Sequence, residues 1–241
     1  MAKSASSPAS PPGDPRSDVV EALLRLADLH DWHDIELADI AREAGMPLGR
    51  LRDLFPSKGA MLAGFGRMID ARVLAATPED PATDELAGEP AAERLFDVMM
   101  RRIDALSPYK SALKRLAATL RHEPLTLAAL NGAALNSWRF MLAAARIPTE
   151  DALGPLRVQG AVLVFARVME TWFEDDDPGL AKTMARLDAQ LKKGGRILGY
   201  ADHLHRLAAP MRALMQAACD RRPGRRRRAR TNADDGYAEA I

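Results

Sequence analysis

The sequence predicts an all-α protein, and three observations carry that prediction. Apolar residues recur at three- and four-residue spacing along nearly the whole chain from Ser17 onward. Pro108, Pro124, Pro148, Pro155 and Pro178 fall at the joints between these stretches, where helices tolerate proline. No stretch alternates with a period of two between turn residues, as a half-buried strand would. The 241 residues allow one or two domains, and 47% hydrophobic with 28% charged residues is an ordinary globular composition. The one cysteine, Cys219, can form neither an internal disulfide nor a cysteine-based zinc site. There is no apolar run of spanning length, and the Ser/Pro/Ala-rich start lacks the apolar core of a secretory signal, so a cytoplasmic protein is expected.

The elements follow in order. Residues 1–16 have almost nothing to bury and read as a disordered tail. Ser17 is a good N-cap for a first helix through Val20, Leu23, Leu24 and Ala27. In Leu37–Glu43 and just beyond, Leu37, Ile40, Ala41 and Ala44 share one face, and Gly45 stops the helix because glycine accepts the left-handed cap geometry. A short helix follows at 47–55. Pro56-Ser57 breaks it, and a longer one runs over 58–74 through Met61, Leu62, Phe65, Met68 and Ile69. Residues 77–90, with three prolines and five acidic residues, read as a surface linker. Further helices are expected near 91–106, 110–122, 124–146, 155–174, 178–193 and 201–219. Segment 156–173 is apolar nearly all round, so it is buried on several sides, either as a central core helix or between subunits. Asp177 before Pro178 reads as the N-cap of the next helix. The run Glu174–Asp177 therefore reads as a favourable charge at a helix N-terminus rather than as a cation site.

The net charge of +1 conceals an uneven distribution. Seven arginines lie within residues 221–230, and the rest of the chain carries 27 basic against 33 acidic residues. Attraction for an anion is therefore concentrated in one tail and a few placed side chains.

Residues 37–55 form a helix, a glycine turn and a second short helix, the arrangement whose second helix enters a DNA major groove. Ala41 and Ala44 are small enough for a close helix crossing. Leu51 and Phe55 anchor the second helix, which leaves Leu48, Gly49, Arg50 and Arg52 outward. The planar fork of arginine suits guanine edges or phosphates. Ser57 and Lys58 open the next helix, where a phosphate can be gripped.

With Ile40-Ala41, Ala44-Gly45, Gly49, Leu51, Phe55, Ser57-Lys58 and Leu62, residues 17–75 resemble the DNA-binding domain of the TetR family of transcriptional regulators. The resemblance implies a three-helix helix-turn-helix domain at 17–75. It also implies a larger helical domain at 91–200 for effector binding and dimerisation, here followed by an amphipathic helix and an Arg-rich flexible tail at 201–241. It implies a homodimer on a palindromic operator in double-stranded DNA, acting as a repressor. The dimer contact would be made by Val162, Phe165, Met169, Leu180, Met184, Leu187 and Leu191. Phe96, Met99, Met100, Ile103, Trp138 and Met141 would enclose an apolar effector, although such residues at helical spacing more often make an ordinary core. The chain departs from the family pattern at Pro47, at Arg50-Leu51-Arg52 and at Leu54, in place of hydroxyl and ring side chains. The two arginines either replace those phosphate contacts or mark a scaffold that no longer reads DNA.

A second resemblance is looser. Phe96–Met100, Trp172, Asp175–Asp177, Thr183, Leu187 and Leu191 look like the C-terminal half of the TetR-fold lipid-binding family that assists ubiquinone biosynthesis, whose DNA-binding region is degenerate. Leu204, Leu207, Ala208, Met211, Leu214, Met215 and Ala218 form an apolar stripe ahead of the arginines. That pattern suits contact with an anionic membrane, or docking on the protein body with a solvated tail. His30 and His33 read as structural or solvated, and His203 and His205, two apart on different helix faces, do not suit shared metal ligation. No phosphate-binding glycine loop and no nucleophile with a plausible histidine partner is present, so neither an enzyme nor a cofactor or metal is expected.

Overall fold

The computed structural model describes residues 14–78 and 86–196, in which every regular element is a helix. The helices are α1 (Pro15–Leu29), α2 (Leu37–Glu43), α3 (Leu48–Leu54), α4 (Lys58–Ala75), α5 (Ala91–Leu106), α6 (Lys110–Leu120), α7 (Pro124–Ala144) and α8 (Gly154–Phe173). A single 3-10 turn, Ser107–Tyr109, leads into α6, and residues 181–196 form α9. The all-α expectation holds, and α1 to α3 have the helix-turn-helix order. The helix expected at 201–219 and the arginine tail lie outside the described residues.

Two helix starts differ from the sequence reading, each because the cap comes from outside the apolar pattern. α1 begins at Pro15, two residues before Ser17. The Asp14 carboxylate accepts from the Arg16 amide at 3.2 Å, and Pro15 has no amide to satisfy. Ser17 instead donates its hydroxyl to Asp14. α9 begins at 181 rather than 178. Asp177 caps only the turn, accepting from the Gly179 and Ala181 amides, and Leu180 takes a left-handed φ of 51°. The helix cap is Asp175, whose Oδ2 accepts from both the Thr183 amide (2.9 Å) and the Thr183 hydroxyl (2.7 Å). The Thr183 hydroxyl bond, with the amides behind it, holds the Asp175 carboxyl below the ordinary aspartate value against the opposing effect of burial.

α4 is the axis of the fold, packing on α1, α5 and α7, while α1 also lies along α6 and α7 along α8. One apolar cluster runs from Val19 in α1 through Ile40, Leu51, Met61 and Ile69 to Met99, Trp138, Val168 and Leu187. Gly64 is required where α4 crosses its neighbours, since a Cβ there would stand 2.8 Å from the Phe55 ring and 3.4 Å from Val20. Within the apolar interior sits one polar knot. Asp70 of α4 accepts from Arg102 of α5 and, at 2.7 Å, from the Ser137 hydroxyl of α7. All three side chains are buried, and the Arg102 guanidinium faces the Trp138 and Phe165 rings at 5.6 and 5.7 Å. None of the described helices is long and apolar enough to cross a membrane.

Candidate nucleic-acid interface

The second helix of the motif, α3, is set by a turn, two anchors and its neighbours. At the end of α2, Gly45 adopts φ 64°. Its amide bonds to the Arg42 carbonyl (3.1 Å), and the Met46 amide reaches back to Ala41 (3.0 Å). That is the left-handed double-bonded cap which glycine favours, and it turns the chain directly into α3. Leu51 is buried at 1% exposure and Phe55 at 4%, so α3 hangs on the core by these two side chains. The Arg16 guanidinium covers the outer face of the Phe55 ring at 5.3 Å, a neighbour the sequence pattern did not signal.

Leu48 is 51% exposed, and Gly49, Arg50 and Arg52 are also exposed. No atom would lie within 4 Å of a Cβ on Gly49, so that position is open toward whatever α3 meets. Arg50 has no ion-pair partner among the described residues, and Arg52 has only Asp53 at 3.9 Å. Ser57 is exposed and caps α4, accepting from the Ala60 amide at 3.1 Å while its own proton stays available.

Lys58 is placed differently from the expectation of a phosphate grip. Its ammonium turns inward and donates to the Trp32 carbonyl (2.6 Å) and the Ile35 carbonyl (2.9 Å), 4.4 Å above the Trp32 ring. Burial pushes the ammonium below the ordinary lysine value, and the Glu123 carboxylate opposes that shift. Lys58 is thus a clamp between α4 and the α1–α2 loop. The same loop is tied to the rest of the molecule by Asp31 with Arg115 (3.3 Å) and His33 with Glu123 (3.1 Å). The electrostatics of this end are sparse in free cations. Residues 14–58 hold ten carboxylates against six basic side chains. Arg25 pairs with Glu43 and Arg42 with Asp39, so α3 carries the outward cations of the motif.

The expected dimer residues divide. Phe165 and Leu187 belong to the buried interior of the single chain, with Phe165 against Trp138 at a ring distance of 5.0 Å. Val162, Met169, Leu180 and Leu191 are partly buried against that interior. Met184 is 38% exposed, and Leu156 and Leu163, outside the expected set, are 45% and 50% exposed. Leu156 and Leu163 stand seven residues apart and so share one face of α8.

The six residues expected around an effector all belong to the apolar cluster or pack against it. Met99, Ile103, Trp138 and Met141 are buried in the cluster, and Phe96 and Met100 pack against it. Of these six, Trp138 faces the Arg102 guanidinium of the Asp70–Arg102–Ser137 knot at 5.6 Å. Cavities of about 340 and 250 Å³ open elsewhere. The first lies between α1 and α2, bounded by His30, Asp34 and Arg42; the second lies between α1 and the start of α6, bounded by Glu21, Asp28 and Tyr109.

No protein-family model matches the chain, and no curated protein matches it. Solved structures do. One is a TetR transcriptional regulator from Nitrosomonas europaea ATCC 19718, 18% identical, which aligns over 76% of this chain and 99% of its own with a TM-score of 0.57. A TetR transcriptional regulator from Rhodococcus sp. RHA1 is 15% identical over 75% of this chain and 94% of its own, with a TM-score of 0.56. A putative TetR-family regulator from Shewanella sp. PV-4 is 14% identical over 76% and 96%, with a TM-score of 0.51. At these identities the likeness is one of architecture, and the described residues fold as TetR-type regulators do.

Proposed function

We propose that the chain is a DNA-binding transcriptional regulator of the TetR type, without enzymatic activity, working as a homodimer on a palindromic operator. The observation that carries this reading is α3. It is fixed from behind by Leu51 and Phe55 and presents Leu48, Gly49, Arg50 and Arg52 on its free side. Arg50 and Arg52 would read base edges or phosphates. Ser57 would offer its hydroxyl to the backbone, while Lys58 would hold the loop that supports the reading helix. Two copies must place their α3 helices about 34 Å apart to enter successive major-groove turns, and exposed Leu156, Leu163 and Met184 offer α8 and α9 as the joining surface.

Regulation by a small apolar effector, with release from DNA, fits the position of α4. That helix begins beside the reading helix and reaches Asp70 in the interior. A ligand that repacked the wall of Met99, Ile103, Trp138 and Met141 would act directly on it. A genomic DNA pull-down with sequencing tests the proposal, and recovered palindromic sites would support it. The excess of carboxylates in residues 14–58 favours the second reading, a lipid-binding accessory protein on a degenerate scaffold. Bound lipid without recovered DNA would decide for that one. Ser137, the described serine closest to a carboxylate, is buried against Asp70 and Arg102, with no imidazole bonded to it.

A further inference from the structure

We infer that Arg102 is the anion-recognising residue of the effector site, and that the effector it takes is a small carboxylate with an apolar or aromatic body. The inference rests on the effector part of the proposed function and deepens it by naming the ligand's chemistry. Its first support is a guanidinium with donors to spare. Arg102 donates from Nη1 to Asp70 Oδ1, and among the described residues neither its Nε nor its Nη2 has a hydrogen-bond partner. The Ser137 hydroxyl donates to the same Asp70 oxygen and leaves the guanidinium untouched. The Arg102 and Asp70 side chains keep 9% and 11% of their surface open to solvent, so a narrow opening reaches the knot. Buried polar groups are ordinarily satisfied, and an idle guanidinium edge at this depth calls for a partner.

The surroundings select the ligand. The Nε–Nη2 edge presents two parallel N–H groups in one plane, which match the two oxygens of a carboxylate. The Trp138 and Phe165 rings lie beside the guanidinium at 5.6 and 5.7 Å, and 5.0 Å from each other at a tilt of 56°. An apolar body gains by leaving water against such rings, and a bare inorganic anion does not. Asp70 gives the binding a consequence. It belongs to α4, and a ligand carboxylate competes with it for one buried guanidinium, so occupancy loosens α4 from α5. The helix that feels this exchange is the one that starts just after α3.

The test is isothermal titration calorimetry on the full chain with two matched probe pairs, 3-phenylpropionate against 3-phenylpropionamide and hexanoate against hexanamide. In the natural protein at least one carboxylate should bind about tenfold more tightly than its amide, as a charge-assisted pair requires. Two substitutions should then move the affinity in opposite directions, which a purely structural role would not do. Asp70→Asn removes the competing carboxylate and should tighten binding of that probe by about tenfold. Asp70→Asn with Arg102→Gln leaves a neutral hydrogen-bonded pair and should bring carboxylate and amide to equal affinity. Circular dichroism establishes that the variants are folded; if either is not, the natural protein's discrimination within the pairs decides alone. Equal affinities within both pairs, or no saturable binding of either carboxylate up to about 10 mM, overturn the inference and leave the open edge to water. So does a folded Asp70→Asn protein that binds the carboxylate no more tightly, or a folded double variant that still prefers it. Palindromic sites recovered from genomic DNA without carboxylate discrimination leave the DNA-binding reading standing and sink the inference; discrimination without recovered sites does the reverse.

Discussion

Lys58 occupies the first turn of a helix just after the helix-turn-helix, where a cation naturally suggests a phosphate grip. Its two carbonyl partners lie in the loop at Trp32 and Ile35. Nothing in the spacing around Lys58 marks that loop as its neighbour, which is why its direction was not legible in the sequence. The consequence is testable. Lys58→Met should lower stability by about 1–2 kcal/mol in denaturant unfolding, the scale of charge-assisted hydrogen bonds at a half-buried site. It should leave the salt dependence of duplex binding unchanged, because no phosphate partner is removed. Gly49 behaves in the opposite sense. With no neighbour within 4 Å of a Cβ, Gly49→Ala should stabilise the fold by roughly 0.5–1 kcal/mol through helix propensity. If α3 approaches DNA closely at that point, the same substitution should weaken operator binding, so stability and affinity would move apart. Arg50→Ala and Arg52→Ala each remove a guanidinium able to grip a base edge with two hydrogen bonds. Each should weaken operator affinity by roughly 1–3 kcal/mol, read by gel shift, with relaxed sequence preference.

At the scale of elements, apolar periodicity located every described helix, and the errors gathered at the ends. The α2–α3 turn was legible because one residue type, glycine, satisfies its geometry. The starts of α1 and α9 were not, because Asp14 and Asp175 cap from residues without a periodic signature. The distant cap on α9 has a pH consequence. The folded carboxyl of Asp175 lies below its unfolded value, so its contribution is present above the ordinary aspartate range and is lost as pH falls through the folded value. Asp175→Ala should therefore lower Tm at neutral pH, and the difference from the natural protein should shrink below about pH 4. Gly64 sets the seating of α3. In Gly64→Ala the new methyl meets the Phe55 ring, and such overpacking costs about 1–3 kcal/mol in chemical denaturation. Because Phe55 anchors the end of α3, operator binding should weaken with it.

For the whole molecule, the sequence pattern could not divide the apolar surface of α8 and α9 between interior and interface, since both look alike in one dimension. The structure separates buried side chains from exposed ones. Phe165 and Leu187 are buried within the chain, and Leu163 and Met184 are exposed. Phe165→Arg should unfold the protein. Leu163→Arg with Met184→Arg should leave the circular dichroism intact while light scattering falls from dimer to monomer mass; a dimer unaffected by the pair would remove these residues from the interface. The apolar cluster also bears on how the molecule comes apart. It includes side chains of the helix-turn-helix and of the larger helical part alike, from Val19 to Leu187, with α4 contributing to both. A half sharing its interior with the other cannot melt first and leave the other standing. Scanning calorimetry of the dilute protein should thus show one endotherm, with calorimetric and van 't Hoff enthalpies in agreement for each cooperative unit. Heat damage anywhere in α5 to α9 would be registered at once by α3.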